Sequence, residues 1–342
     1  MPQDPGDPVI ERVKSQPPAM VRMSWKTRLK RAAFRLLYYS GLELLVARSL
    51  RVNAAAVIMY HGVCDTSQLP PEVDFHLNSS IFDRHMRMLK RRYPVVSLRQ
   101  LLDRIEHGGR LGKAIVLTFD DGYRNNATVA HPILERHSMP YTIFLTTAYI
   151  GGDTWLPLNE LYALWHSGRI TGSRMMELRK QIRSRPASCA AGILRDVKAD
   201  LTPAERALGE DSFGMLDWEQ VRNLAARGVE FGSHTCTHCN MAVETRDRQL
   251  VELQTSRESI RAEIGDEAAT FAYPFGRPEN WSRETRRSVI EAGYRCAILA
   301  SGGLVKSGQD VFALPRVGFS KETWYFACDL TWLFLKRCLN SP

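Results

Sequence analysis

The stretch AIVLTFDDGY, residues 114–123, decides the fold, because an apolar run there ends in two adjacent carboxylates. The run 114–119 is short and contains β-branched and aromatic residues, which is typical of a buried strand in a parallel sheet. Carboxylates directly after such a strand are costly to bury unless a cation or a reaction uses them. Neighbouring side chains at a strand exit point in different directions, so Asp120 and Asp121 can take separate roles.

Similar apolar runs recur along the chain, and segments with the helical period separate them. We predict strands at residues 55–60, 114–119, 141–145, 229–232, 270–273 and 296–299, with helices at about 80–91, 98–106, 124–138, 217–227, 246–264 and 282–292. Ser79 or Ser80 is the expected N-cap of one helix, and Ser282 that of another. The alternation predicts an α/β fold with a parallel sheet or a β/α barrel, whose functional loops follow the carboxyl ends of the strands.

The chain is predicted to have three parts. Residues 1–53 are expected to form a polar leader and a basic amphipathic helix, 54–325 the barrel, and 326–342 an aromatic tail helix. A charged helical insertion at about 151–215 is expected either to shape a substrate cleft or to decorate the surface. The amphipathic helix, predicted over 23–50, is expected either to lie on a membrane surface or to dock on its own barrel.

Composition and charge narrow the class of protein. The chain has 342 residues and is 44% hydrophobic, which suits a sizeable core and excludes a disordered, collagen-like or disulfide-scaffold protein. The net charge is +9, but residues 1–53 hold 10 Lys and Arg against 4 Asp and Glu, so the rest of the chain is nearly balanced. We therefore expect a neutral substrate, no nucleic-acid partner, and a basic N-terminal segment that favours an anionic membrane.

The cysteines and the N-terminus bear on localisation. Seven cysteines is an odd number, which predicts mostly free thiols in a reducing compartment. No signal peptide is visible, and no uncharged apolar run is long enough to span a bilayer. The expected localisation is therefore cytoplasmic, with residues 21–50 holding the protein peripherally at the inner membrane.

A second motif, GSHTCTH at residues 232–238, follows another predicted strand. His234 and His238 are four residues apart, which predicts that both lie on one face of a helical turn. Two histidines and an aspartate at strand ends make a three-ligand metal site with positions left open, as a catalytic zinc site requires. Cys236 is expected to face away, and Cys239 is the alternative fourth ligand that a closed structural zinc site would need.

Three further candidates lie at predicted strand ends. The turn YPFG at residues 273–276 can present backbone N–H groups to a developing oxyanion, or it simply ends its strand. His61, in MYHG, suits a general acid or a buried core histidine. Arg316, in LPR, ends the last strand-like run.

The sequence TFDDG at 118–122, followed by SHTCTH at 233–238, resembles the motif pair of the polysaccharide deacetylase family, the family 4 carbohydrate esterases with a NodB homology domain. The resemblance covers about residues 54–150 and 216–320. It implies a distorted (β/α) barrel of seven or eight strands. It also implies a divalent metal, most often Zn²⁺ with Co²⁺, Ni²⁺ or Mn²⁺ as alternatives, and the removal of N- or O-acetyl groups from sugars.

The resemblance assigns roles to four residues of the two motifs. Asp120 corresponds to the catalytic base of the family, and Asp121 to its metal-binding aspartate. His234 and His238 correspond to the two metal-binding histidines. A divalent metal held in this way is expected to polarise the carbonyl of the acetyl group.

The turn at the third motif departs from the family pattern R-x-P-Y. Ala272 stands where the family has its arginine, and Phe275 stands where it has tyrosine. Tyr273, Phe275 and Gly276 are nevertheless the candidates for oxyanion and substrate contacts. Arg316 is the expected substitute for the missing arginine beside the catalytic base.

The general acid also departs from the common pattern, since no histidine follows His238, where the family has a late L-x-H motif. His61 in Met-Tyr-His resembles the early histidine of the poly-N-acetylglucosamine deacetylase branch, which does the work of the acid there. The resemblance therefore implies that Asp120 takes a proton from water and that His61 donates one to the leaving amine.

The expected function is that of a metal-dependent hydrolase in exopolysaccharide metabolism. It removes N-acetyl groups from a polysaccharide, an oligosaccharide or a lipid-linked amino sugar. One alternative within the enzyme class is a deformylase or an O-acetyl esterase. An alternative of another class is a catalytically lapsed barrel that binds glycans. Ala272 favours that alternative, and the retained Asp and His residues count against it.

Overall fold

A computed structural model describes residues 24–67, 69, 73–197 and 201–340. The strands are β1 (Ala54–Tyr60), β2 (Val63–Cys64), β3 (Leu77–Asn78), β4 (Lys113–Phe119), β5 (Thr142–Leu145), β6 (Glu230–Ser233), β7 (Thr270–Ala272), β8 (Cys296–Gly302), β9 (Val305–Lys306) and β10 (Leu314–Arg316). The helices are α1 (Trp25–Tyr39), α2 (Leu42–Ser49), α3 (Ser79–Arg92), α4 (Leu98–Glu106), α5 (His131–His137), α6 (Pro157–His166), α7 (Gly172–Ser184), α8 (Ala190–Asp196), α9 (Pro203–Phe213), α10 (Trp218–Ala226), α11 (Arg246–Ile264), α12 (Arg283–Glu291) and α13 (Thr323–Leu339).

The main sheet contains eight strands in the order β10-β8-β7-β6-β5-β4-β1-β9. Neighbouring strands are parallel except for β1 and β9, which are antiparallel. Directly after β10, the N–H of Val317 donates to the carbonyl of Val57, and the N–H of Met59 donates to the carbonyl of Val317. These bonds join the two ends of the sheet. The expectation of a distorted (β/α) barrel of seven or eight strands is therefore confirmed.

The paired strands β1 and β4 show why the sequence forms this sheet. β1 reads AAAVIMY and β4 reads KAIVLTF, and nearly all of their residues are buried. One side of each strand packs inside the barrel and the other against helices, so apolar residues follow one another without alternation. The two strands pair in register from Ala54 opposite Lys113 to Tyr60 opposite Phe119. Because they end together, His61 and Asp120 emerge at the same edge of the sheet.

The insertion between β5 and β6 is helical, as predicted, and consists of α6 to α9. A small apolar cluster of Leu161, Leu164, Leu178 and Ile193 holds α6, α7 and α8 together. On α6, the side chain of Asn159 exchanges hydrogen bonds of 3.1 and 3.2 Å with the hydroxyl of Tyr123. Since Tyr123 follows the two carboxylates after β4, this contact fixes the insertion over the carboxyl end of the barrel.

The N-terminal helix docks on the C-terminal helix of the same chain. The amine of Lys30 lies 2.9 Å from the carboxylate of Asp329, and Arg31 forms an ion pair with Glu322. Phe34 is buried in this contact, and its carbonyl accepts from the thiol of Cys328. Docking within the chain, one of the two expectations for this segment, is thus what the structure shows.

Two predicted helix boundaries are wrong. The helix predicted over 23–50 is broken into α1 and α2, because Gly41 has a φ of 80°, in the left-handed region that ends a helix. The N-cap of α3 is Asn78 rather than Ser79 or Ser80, because the Asn78 side chain accepts from the N–H of Ser80. Ser282, in contrast, caps α12 as predicted.

The remaining boundaries differ in smaller ways. The helix predicted at 124–138 begins with a π-helical segment, Asn126–Ala130, before α5. The proposed boundary between 325 and 326 falls inside α13. The predicted leader lies largely in residues 1–23, outside the described residues. Among the helices that the structure describes, none has both the length and the apolar character that a bilayer crossing requires.

Candidate active site

One pocket, with a volume of about 260 Å³, gathers the side chains at the carboxyl ends of the strands. The barrel contributes His61 after β1, Asp120 and Asp121 after β4, His234 and His238 after β6, and Phe275 after β7. The insertion contributes the facing wall through Leu156, Leu158, Asn159, Tyr162, Arg179 and Arg183. The barrel and the insertion therefore enclose a single candidate site.

Asp121, His234 and His238 turn one potential ligand atom each toward a common point. Oδ1 of Asp121 lies 3.6 Å from Nε2 of His234 and 3.3 Å from Nε2 of His238. This oxygen is buried and accepts no hydrogen bond from the described residues. Two ligands at about 2.1 Å from a tetrahedral ion lie about 3.4 Å apart, so the spacing suits a zinc-sized ion. The three residues therefore fit a divalent metal and leave room for further ligands.

The protonation of these residues also suits a metal. Nδ1 of His234 lies 2.7 Å from the carbonyl of Ala272 and donates to it, which leaves the lone pair of Nε2 facing Asp121. Burial lowers the pKa of His234 to about 4, so the imidazole is neutral at neutral pH. Burial alone would raise the pKa of Asp121, but the neighbouring His238 imidazole holds it well below its usual value. Asp121 is therefore ionised and His234 neutral, as metal ligands must be.

The backbone at the site is unusual. Asp121, Thr235 and His238 have φ values of 76°, 65° and 59°, in the left-handed region that non-glycine residues rarely adopt. The prediction of a helical turn at 234–238 is therefore wrong, because this segment is a loop. The loop still brings the rings of His234 and His238 to a centroid distance of 5.0 Å. Backbone strain of this kind persists only where the surroundings hold the conformation.

Glu252 of α11 provides much of that support, and sequence reasoning missed it. Its buried carboxylate accepts the N–H groups of Cys236 and Thr237 at 2.9 and 2.8 Å and the Thr237 hydroxyl at 2.8 Å. Arg248, one turn earlier on α11, donates to the same carboxylate. The sequence feature that could have indicated this role is an acidic residue at a helix position that packs toward the barrel. It directly precedes the buried Leu253.

The alternative of a closed site with a cysteine ligand receives no support. Cys239 is buried with its sulfur 3.6 Å from that of Met241, and it is not part of the ligand group. Burial raises the pKa of its thiol well above the usual value, which disfavours the thiolate that a metal needs.

Arg316 forms a bidentate ion pair with Asp120. Its two terminal nitrogens donate to the two carboxylate oxygens at 2.6 Å each, and its Nε donates to the carbonyl of Leu299. Both side chains are almost fully buried. Burial alone would raise the pKa of Asp120, but the guanidinium of Arg316, followed by His234, holds that pKa below its usual value. Arg316 therefore lies beside Asp120, as expected for a residue that substitutes for the family's arginine, whose place in the sequence is taken by Ala272.

His61 is brought to the same pocket. Its ring centroid lies 5.7 Å from that of Phe75, and its carbonyl accepts from the side chain of Asn126 at 2.7 Å. The same pocket is lined by both carboxylates, Asp120 and Asp121.

Of the three residues of the turn after β7 that were predicted to contact the oxyanion or the substrate, Phe275 lines the pocket. The ring of Phe275 lines the pocket 4.8 Å from that of His238, and no described group accepts its N–H. The N–H groups of Tyr273 and Gly276 already donate to the carbonyls of Ile298 and Pro274. Tyr273 is fully buried and its hydroxyl donates to the Phe312 carbonyl. The expectation that Tyr273 and Gly276 provide oxyanion or substrate contacts is therefore wrong for their N–H groups and for the Tyr273 side chain.

Comparison with known proteins gives this site its context. The sequence profile of the polysaccharide deacetylase family matches residues 107–297, which is more than half of the chain. The match includes both carboxylates after β4 and both histidines after β6. The chain belongs to the polysaccharide deacetylase family, and its membership identifies it as a hydrolase.

Individual relatives are distant. YxkH of Bacillus subtilis (strain 168), which is named as a polysaccharide deacetylase, is 21% identical over 266 residues, covering 77% of this chain and 71% of YxkH. The Streptococcus pyogenes deacetylase PplD, solved in complex with acetate, has a TM-score of 0.55 at 17% identity, covering 79% of this chain and 94% of PplD. IcaB from Ammonifex degensii has a TM-score of 0.54 at 16% identity, covering 82% of this chain and 97% of IcaB. These structural matches show the fold.

Proposed function

We propose that this protein is a metal-dependent amidase that removes N-acetyl groups from an amino sugar in a polysaccharide, an oligosaccharide or a lipid-linked precursor. The observation that carries the proposal is the position of Asp120, paired with Arg316, beside the triad of Asp121, His234 and His238 in one pocket. A hydrolytic site of this type needs a base for water next to a Lewis acid, and this arrangement provides both positions.

Each residue of the pocket has a defined part in the proposed reaction. A divalent metal held by the triad, most often Zn²⁺ in this family, supplies Lewis-acid polarisation of the acetyl carbonyl. Asp120, kept ionised by Arg316, accepts a proton from the attacking water on a carboxylate oxygen. The N–H of Phe275 is the backbone donor available to the developing oxyanion. His61 donates a proton to the leaving nitrogen, so that the amine departs uncharged.

Two variants test the assignment of base and ligand. Asp120→Asn is expected to retain bound metal and to lose turnover by a factor of about 100 to 10,000, because it removes the proton acceptor. His234→Ala is expected to lose both the metal and the activity. Metal content by mass spectrometry and acetate release measure the two properties separately. An Asp120→Asn enzyme that stays fully active on every substrate of the wild type would overturn the assignment.

The acyl group needs its own test, because a formamide or an acetate ester fits the same chemistry. A panel of N-acetyl, N-formyl and O-acetyl derivatives of one sugar should show the highest kcat/KM for the N-acetyl compound. A preference for the formyl or the ester derivative would assign the protein as a deformylase or an esterase. A protein that binds metal and hydrolyses none of them would be the catalytically lapsed, glycan-binding barrel.

We also propose a cytoplasmic setting at the surface of an anionic membrane. All seven cysteines are free, which suits a reducing compartment. Although α1 docks on α13 and α2 on α3, the two helices leave an exposed apolar stripe of Trp25, Leu29, Leu36, Tyr39, Leu42 and Leu45. The spacing of Trp25, Leu29 and Leu36 places them on one face of α1. Apolar side chains that remain 51–72% exposed after docking favour insertion at a lipid interface.

The charges around the exposed apolar stripe point to anionic lipid. A groove of about 930 Å³ lies beside the bend between α1 and α2, and its walls include Arg84, Arg87, Lys90, Arg91 and Lys321. Basic side chains next to an apolar face attract anionic headgroups at about 1 kcal/mol per cation. This surface is therefore complementary to an anionic membrane.

Flotation with vesicles tests the membrane proposal on the full chain. The wild type should float with vesicles of phosphatidylcholine and phosphatidylglycerol and much less with phosphatidylcholine alone. The double variant Leu29→Ser/Leu36→Ser should reduce vesicle binding by about tenfold or more, because it removes buried apolar area from the lipid. Val251→Ser, an equivalent change on the exposed face of α11, is the matched control. Equal flotation of wild type and double variant would exclude this face.

A further inference from the structure

Three arginines line the candidate active-site pocket. Arg179 and Arg183 lie one turn apart on α7, and Arg277 follows the turn after β7. Within the described parts of the chain, none of the three forms an ion pair with a carboxylate, whereas Arg174 on the same helix pairs with Glu177 at 2.7 Å. The cations at the pocket wall are therefore uncompensated, unlike others on the insertion.

The position of Arg183 shows how close these charges lie to the chemistry. Its guanidinium is 4.5 Å from the centre of the Phe275 ring, which is itself 4.8 Å from the ring of His238. One aromatic ring thus separates Arg183 from a metal-ligand candidate. Burial, followed by the charges of Arg179 and Arg277, lowers the pKa of Arg183, so the three cations repel one another. Nε of Arg179 is buried and no described group accepts its hydrogen.

The acids near the pocket do not relieve this repulsion. Both oxygens of Asp120 accept hydrogen bonds from Arg316, and Asp121 faces the two histidines. Asp74 lines the rim and is exposed. Glu279 raises the pKa of Arg183, but by less than either neighbouring arginine lowers it. Among the residues that the structure describes, no carboxylate neutralises this wall, so the wall is suited to a negatively charged group on a ligand.

We propose that the sugar substrate carries an oxyanion group, a phosphate or a carboxylate, and that Arg179, Arg183 and Arg277 bind it while the N-acyl group lies at the metal site. The planar guanidinium fork matches both kinds of oxyanion. The proposal rests on the proposed function for the acyl chemistry, and it replaces the expectation of a neutral sugar. The overall charge of the barrel suggested that expectation, and the local arrangement of arginines favours an anionic substrate instead.

Binding of ligands that need no turnover tests the proposal. The compounds are glucosamine 1-phosphate, a glucosamine disaccharide with glucuronic acid, and methyl glucosaminide as the neutral match. Calorimetry on the zinc-loaded wild type should give a Kd at least tenfold lower for one of the two anionic compounds than for the neutral one. The phosphate and carboxylate arms identify which oxyanion is recognised.

Variants assign the effect to the wall. Arg183→Gln and Arg179→Gln should each reduce the preference for the anionic compound by about tenfold, whereas Arg174→Gln, a charge change on α7 paired outside the pocket, should keep it. Equal Kd values for anionic and neutral compounds in the wild type would overturn the proposal, as would an unchanged preference in both pocket variants.

Hydrolysis of the N-acetylated forms of the same compounds separates this inference from the proposed function. Acetate release with no preference for the anionic forms would leave the deacetylase proposal intact and overturn the oxyanion proposal. Selective binding of the anionic compounds without release of any acyl group would do the reverse.

Discussion

Two buried arginine–carboxylate pairs occupy different regions of this molecule and share the same local chemistry. At the carboxyl end of the barrel, Arg316 donates to both oxygens of Asp120 at 2.6 Å. In the helical layer, Arg92 of α3 donates to both oxygens of Glu43 of α2 at 2.6 to 3.0 Å. All four residues are buried. Pairing and burial alone therefore do not distinguish a catalytic carboxylate from a structural one.

The surroundings of the two carboxylates make the distinction. Asp120 faces a cavity and lies beside the metal-ligand triad. Glu43 accepts a further hydrogen bond of 2.7 Å from the hydroxyl of Thr331 on α13, which in turn contacts the hydroxyl of Tyr93. One pair thus presents a carboxylate to the pocket, while the other joins α2, α3 and α13. A buried ion pair becomes a functional candidate only where it borders space and reactive neighbours.

The largest effect is expected from breaking the pair at the barrel. Arg316→Met leaves the buried carboxylate of Asp120 unpaired, which should lower the free energy of unfolding by about 3–5 kcal/mol. It should also reduce kcat about 100-fold with little change in KM, because the base loses the group that orients it. Denaturant unfolding and steady-state kinetics measure the two effects. Arg316→Lys is the conservative control and should recover part of kcat; an enzyme with unchanged kcat in Arg316→Met would show that Asp120 needs no orienting partner.

Breaking the pair in the helical layer should affect stability alone. Glu43→Ala leaves Arg92 buried without its carboxylate and should lower the free energy of unfolding by about 3–5 kcal/mol, measured by urea denaturation. The activity of the folded fraction should stay at the wild-type level, because Glu43 lies outside the pocket. In Glu43→Leu/Arg92→Met, apolar side chains replace both charges, so most of the stability should return. A loss of kcat in folded Glu43→Ala would mean that the two regions are coupled.

A smaller effect is expected at the bend before Glu43. Gly41 has a φ of 80° and no atom lies within 4 Å of where a Cβ would be, so Gly41→Ala meets backbone strain without a clash. We expect a loss of about 1–2 kcal/mol. Gly122, directly after Asp120 and Asp121, has a φ of 90°, and its Cβ would lie 2.9 Å from Leu145. Gly122→Ala should therefore lower the stability, measured by thermal denaturation, more than Gly41→Ala does. Equal losses of stability would mean that the structure relaxes around both substitutions to the same extent.

The sequence predicted those site residues that directly follow a strand in the chain. Asp120 and Asp121 follow an apolar run directly, and the histidine motif follows another, so parallel strand topology brings them together. The folding of the histidine loop was not predictable, because Thr235 and His238 adopt left-handed φ values that neither residue type signals.

The parts that escaped prediction depend on long-range packing. Glu252 supports the histidine loop from a helix, and its role follows from how α11 lies against β6. Arg179 and Arg183 belong to an insertion whose sequence indicates charged helices but not which face meets the barrel. The near balance of charge beyond residue 53 concealed their convergence, since a net charge carries no information about distribution.

The closure of the barrel has a consequence for the order in which the chain folds. Besides β4, strand β1 pairs with β9 and Val317, which lie near the end of the chain. The carbonyl of Phe34 accepts a hydrogen bond from Cys328, 294 residues later in the chain. During synthesis the N-terminal helices and β1 leave the ribosome long before these partners are made. Their apolar faces therefore stay exposed to solvent until the C-terminal segments follow. Contacts between such distant segments also slow folding. A chain that ends before α13 would thus lose the surface on which its first helix docks.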